Sequence, residues 1–122
     1  MSFIAFLTDR FDESAHFYGE LLGFPTVAQW DRADSRGRRF DLGGMKLELL
    51  DHSREHTQLD LGTVSDRVQV VLEVDDLEAM RQRIPLDAPP YQPTSWGARI
   101  FQLRDPDGVA VTFLQWVKKE GT

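Results

Sequence analysis

The sequence states one structural pattern twice. Apolar residues 3–7 lead into Thr8-Asp9-Arg10, a helical pattern and three strand-like runs, the last two turning at Gly43-Gly44. Residues 68–74 lead into Asp75-Asp76, a second helical pattern and strand-like runs that close at Asp105-Pro106-Asp107-Gly108. The stretches 9–44 and 75–108 are nearly equal in length. A β-α-β-β-β unit of that size cannot close a core by itself, so the two copies are expected to pair. The expected fold is α+β: one domain over residues 1–122, with module one at about 1–57 and module two at about 66–118.

Local signals place the elements. In the first module, Asp12 or Glu13 opens a helix that sets Ala15, Phe17, Tyr18, Leu21 and Leu22 on one side, and Gly23 and Pro25 end it. Strands are expected at 26–31 and 38–42 around an Asp34-Ser35-Arg36-Gly37 turn, then at 45–50 after the Gly43-Gly44 hairpin. In the second module, a Val-rich strand at 67–74 precedes a helix at 77–84, capped by Asp75 or Asp76 and stopped by Pro85. Pro89, Pro90 and Pro93 predict an extended edge, and strands at 98–103 and 109–117 form the closing hairpin. Residues 51–65 are polar without the Gly/Ser richness of a flexible linker.

Composition narrows the function classes. With 14 basic and 20 acidic residues the net charge is −6, and Arg36, Arg38 and Arg39 stand among Asp31, Asp34 and Asp41. A nucleic-acid footprint is therefore not expected, and a cationic or neutral ligand is easier to attract than a polyanion. Cysteine is absent, which removes disulfides and thiolate metal sites and suits a cytoplasmic location. Residues 1–7 lack a signal-peptide pattern and the apolar runs are too short for a membrane span.

Ser14-x-x-Phe17-Tyr18, Leu21-Leu22-Gly23-Phe24, Leu47-Glu48-Leu49, Glu73-Val74-Asp75-Asp76-Leu77 and Trp96-Gly97 followed by Asp105-Pro106-Asp107-Gly108 occur in order along the chain. Together they resemble the vicinal-oxygen-chelate superfamily, which groups glyoxalase I, extradiol dioxygenases, fosfomycin-resistance enzymes and bleomycin-resistance proteins. The resemblance implies a curled mixed sheet around a cup. In metal-dependent members, four cup-facing side chains bind a divalent ion, usually through histidine or glutamate. Carried over residue by residue, those positions fall on Ser2 or Phe3, then on Glu48, Gln69 and Thr112. Of these Glu48 alone is a strong donor, and such an ion prefers several anionic or imidazole ligands.

Neither a metal nor another cofactor is therefore expected, and no catalytic residue is assigned. Glu48 alternates with Leu47 and Leu49, so it points away from the helix-packed face. Trp116 shares its strand parity with Thr112 and Leu114. With Trp96, Trp30, Phe3 and Phe101 it is expected to wall an aromatic cavity suited to a planar or cationic ligand. His52 and His56 stand four apart in the polar stretch and are read as solvated, and His16 on the first helix as structural or exposed. Trp96-Gly97-Ala98-Arg99 and the Phe101-to-Pro106 run look especially similar to the bleomycin-resistance branch. The expected function is thus metal-free binding and sequestration of a small organic molecule by a homodimer. The alternative is a divergent metal-dependent lyase, isomerase or dioxygenase.

Overall fold

The computed structural model describes residues 2–117; the expected module limits at residues 1 and 118 lie outside that range. The chain divides at Val64/Ser65 into two compact units. The first runs β1 (Ile4–Thr8), α1 (Phe11–His16), β2 (Thr26–Arg32), β3 (Ser35–Asp41) and β4 (Lys46–Asp51). The second runs β5 (Gln69–Glu73), α2 (Leu77–Arg83), β6 (Gln92–Pro93), β7 (Ala98–Arg104) and β8 (Ala110–Trp116). The β-α-β-β-β reading holds for both.

Unit 1 is a four-stranded mixed sheet in the order β1-β4-β3-β2. β1 lies parallel to β4, so the chain must cross over, and α1 makes that crossing. The helix begins one residue before the expected start, at Phe11. Asp12 and Glu13 occupy its first turn, where the helix dipole favours negative charge. Beyond His16 the helix continues as a π-helical turn over Phe17–Leu21. Gly19 in that turn meets the sheet closely: a Cβ there would stand 2.6 Å from Arg38 Nη2 and 3.1 Å from Phe40 Cε1. Tyr18, Phe17 and Leu22 pack with Phe40, Leu47 and Leu49 into the core of this unit, the Tyr18 and Phe40 rings 6.1 Å apart.

The β2–β3 connection differs from the expected turn. β3 already begins at Ser35, which pairs with Arg32, leaving Ala33-Asp34 as a two-residue link. Gly37 belongs to the strand, where it makes room for the Trp30 indole: a Cβ at Gly37 would stand 2.3 Å from Trp30 Cζ2. Gly43 and Gly44 do adopt positive φ, 85° and 113°, and the hairpin they shape pairs Asp41 with Lys46.

Unit 2 repeats the order as β5-β8-β7-β6. Asp76 caps α2 by accepting from the Ala79 N–H at 3.0 Å, and the chain turns extended at Ile84 before Pro85. The helix therefore ends at Arg83. Leu77, Met80 and Ile84 are buried along with Val70, Leu72, Val111 and Phe113 of the sheet. Proline-bearing β6 is the edge strand, as its composition predicts. Asp105 ties the closing turn by accepting from the Asp107 and Val109 N–H groups, both at 2.9 Å. Among the described residues no helix is long and apolar enough to cross a membrane.

Candidate functional site

Strand alternation in unit 1 sorts its side chains onto two faces. Arg36 reaches Asp12 and lies 4.3 Å from the centre of the Phe11 ring, and Arg38 reaches Glu20 at 3.6 Å. Both therefore point to the α1 side, and Gly37 and Arg39 between and after them point away. Register puts Glu48 directly opposite Arg39. Glu48 thus turns from the helix, as its alternation predicts.

Its surroundings are not those of a free carboxylate. Arg39 donates from Nη2 and Nε to the same oxygen, Oε1 of Glu48, at 2.7 and 3.2 Å. The Glu48 side chain is 7% exposed and that of Arg39 28%. The Phe3 ring covers one face of the guanidinium, 4.2 Å from Cζ. Glu48 and Phe3 are thus brought together through a residue that the reading of the sequence passed over. The signal was present: a hairpin through Gly43-Gly44 sets Asp41 opposite Lys46, and counting back places Arg39 opposite Glu48. Trp30 occupies a different spot, its indole across Gly37 and its Nε1 donating to Ser35 Oγ at 2.8 Å.

In unit 2, Gln69, Thr112 and Gln102 form a chain of hydrogen bonds on one face. Thr112 Oγ1 donates to Gln69 Oε1 at 2.7 Å and accepts from Gln102 Nε2 at 3.0 Å. Four residues beyond Thr112 along β8 and on the same side, past Leu114, Trp116 donates from Nε1 to Glu73 Oε1 at 3.0 Å. Trp96 meets Trp116 edge to face, ring centres 5.5 Å apart, and each tryptophan stays 54% exposed. Phe101 does not join them. It pairs with Phe113, stacks on it at 4.8 Å and is buried. That parity is shared with Gln115, whose Oε1 accepts from the Leu77 N–H of α2, so Phe101 belongs to the helix-packed layer.

His52 also departs from expectation. It is buried, with Nδ1 2.8 Å from Asp9 Oδ1 and Nε2 accepting from the Leu59 N–H at 2.8 Å. The second contact fixes the ring as the Nδ1–H tautomer donating to Asp9. Asp51 caps the short turn that starts at His52 by accepting from the Ser53 N–H, which folds the polar stretch back over the ring. His16 and His56 are exposed, as expected.

A cavity of about 630 Å³ opens on the α1 side of unit 1, bordered by Phe11, Asp12, His16, Glu20, Arg36 and Arg38. Its arginines are already committed: Arg36 to Asp12 and Asp51, Arg38 to Glu20 and to Thr26 Oγ1. Of the residues expected to face a ligand, Trp30 borders it.

The donors at the inherited metal positions do not fit a divalent ion. Glu48 is neutralised by Arg39, and Gln69 and Thr112 are neutral groups bonded to each other. Among the described residues, no group of three or more His, Cys, Asp or Glu stands close enough to hold a metal ion.

The family model described as Glyoxalase/Bleomycin resistance protein/Dioxygenase superfamily matches residues 1–113. No curated protein matches the chain. Among solved structures, a glyoxylase/bleomycin resistance protein/dioxygenase domain from Frankia sp. EAN1pec is 17% identical, with 100% of this chain and 93% of that one covered and a TM-score of 0.73. Lactoylglutathione lyase from Agrobacterium tumefaciens is 19% identical over 94% and 92%, with a TM-score of 0.68. The genomically encoded fosfomycin resistance protein FosX from Listeria monocytogenes is 12% identical over 94% and 91%, at 0.69. At these identities the structures share the fold.

Proposed function

The chain belongs to the Glyoxalase/Bleomycin resistance protein/Dioxygenase superfamily, and from that premise we propose that it is a metal-free member that binds and sequesters a planar organic ligand. The observation that carries this reading is the pair Trp96–Trp116. Two half-exposed indoles in edge-to-face contact, one of them anchored to the carboxylate of Glu73, offer ring faces and a negative charge side by side. Leaving two indoles in water forgoes apolar burial, so a ligand that covers them gains it back. Stacking contributes roughly 0.5–1.5 kcal/mol per ring beyond area, and a cation over a ring face roughly 0.5–2 kcal/mol. A planar aromatic cation fits best, because Glu73 already orients toward the ring edge. Binding without transformation accords with the donor set, in which neither Glu48 nor the Gln69–Thr112 pair supplies a free anionic ligand or base.

The test is a fluorescence titration of the full chain with a planar aromatic cation such as acridinium, paired with metal analysis of protein purified without chelator. Saturable quenching is expected, with Trp116→Ala losing more affinity than Glu48→Gln. Tight one-to-one uptake of Zn²⁺, Ni²⁺, Mn²⁺ or Fe²⁺ that disappears in Glu48→Gln would overturn the reading in favour of a metal-dependent lyase, isomerase or dioxygenase.

A further inference from the structure

Glu48 divides the Arg39 guanidinium into a used edge and an unused one. A guanidinium carries five N–H donors in a planar fork. Nε and Nη2 of Arg39 both donate to Oε1 of Glu48, and its side chain makes no other hydrogen bond among the described residues. One Nη2–H and both Nη1–H groups remain. The Nη2–H and the Nη1–H beside it make the end-on edge of the fork, the one that takes two carboxylate oxygens side by side. Position and access agree with that use. Arg36 and Arg38 are drawn to the helix side by Asp12 and Glu20, whereas Arg39 points the other way and keeps 28% of its side chain exposed. Glu48 behind it and Phe3 across its plane hold the fork in one orientation, so little rotamer freedom is left to lose when a ligand binds.

We infer that Arg39 is the fixed cation of the face of unit 1 turned away from α1, and that its end-on edge receives the carboxylate of a small organic acid. Glu48 acts as a positioning residue: it aims the fork and lowers its charge, which keeps the affinity for the acid modest. The position that aligns with a metal ligand of the superfamily is thereby served by a protein cation. The inference concerns unit 1 alone and stands or falls independently of the Trp96–Trp116 pair.

The test uses the full chain, with arginine side-chain ¹⁵N–¹H spectra recorded during titration with benzoate and, separately, with benzamidine as a cation of similar shape. The Arg39 Nε–H signal is assigned by its loss in Arg39→Lys. Benzoate is expected to move that signal saturably in the millimolar range, and benzamidine to leave it in place. Arg39→Met should weaken benzoate by roughly tenfold or more, the loss of a charged hydrogen-bond pair. Glu48→Gln, which removes the competing charge but leaves the fork, should bind benzoate several-fold more tightly. This second variant keeps the test decisive if Arg39→Met fails to fold. The proposal is overturned if benzoate leaves the Arg39 signal unmoved, if benzamidine moves it at lower concentration, or if Glu48→Gln weakens benzoate.

Discussion

Arg39 and Glu48 form a pair in which each residue makes the other tolerable in a largely enclosed place. Glu48 is 7% exposed on its side chain, and a carboxylate so placed needs a charged or hydrogen-bonding partner. Glu48→Gln keeps the shape and removes the charge, so it should cost about 1–2 kcal/mol in urea unfolding. Arg39→Met should cost at least as much, because it strands the carboxylate. In a double-mutant cycle the two losses should fall well short of adding, since either change breaks the same contact. Additive losses would show that the pair is incidental. His52 has a comparable structural role. Its contact with Asp9, a well-exposed residue, is screened and contributes little, but the Leu59 N–H has His52 Nε2 as its acceptor. His52→Ala should therefore destabilise by about 1–3 kcal/mol, and the Leu59 amide should exchange much faster with solvent. Unchanged protection at Leu59 would contradict this account.

Elements show which parts of the structure could be read from the sequence and why others could not. Order and type of element followed from period and punctuation: 3.6-residue apolar spacing in 15–22, the proline-rich edge at 89–93, the Asp105–Gly108 turn. Parity was equally readable for Glu48, Thr112 and Trp116, because alternation needs no partner strand. What a side chain meets does need the partner. Arg39, Gln102 and Glu73 became visible through register alone, and Phe101 was misassigned because its face depends on pairing with Phe113. Gly37 illustrates a different ambiguity. Glycine serves either a positive φ or a close approach, and the sequence does not say which. Gly37→Ala should cost about 1–3 kcal/mol by driving a methyl group into the Trp30 ring, with a shift in tryptophan emission. Gly43→Ala meets open space but sits at φ 85°, so it should cost about 1–2 kcal/mol with emission unchanged. Equal emission shifts in the two variants would refute this division of roles. His52 was misread for a related reason: a polar stretch looks solvated until the backbone is seen folding over it.

At the scale of the whole molecule, edges and faces decide association. Unit 1 ends its sheet in β1 and β2. β2 is seven residues long and holds Val27 46% exposed, and β1 holds Ile4 48% exposed beside Phe3. Long edges bearing exposed β-branched residues invite pairing with further strands, and proteins that stay monomeric blunt them with lysine, proline or very short length. Unit 2 uses that device at β6, which is two residues long and contains Pro93. Neither β1 nor β2 carries a proline or a lysine. We propose that the chain is a homodimer in which exposed strand surface of unit 1 is covered by a second copy. A two-fold interface repeats each contact, so one substitution acts twice. Sedimentation at micromolar concentration should give twice the 14.0 kDa chain mass. Val27→Lys and Ile4→Lys, changes at exposed positions that leave the core of unit 1 intact, should be made separately, and at least one should shift the population toward monomer without lowering the unfolding midpoint at high dilution. A wild-type chain that sediments at 14.0 kDa throughout would refute the dimer, and a dimer indifferent to both substitutions would move its interface away from these edges. The net charge of −6 adds a dependence whose sign is set: two like-charged copies repel, so raising the salt concentration should strengthen the dimer through screening.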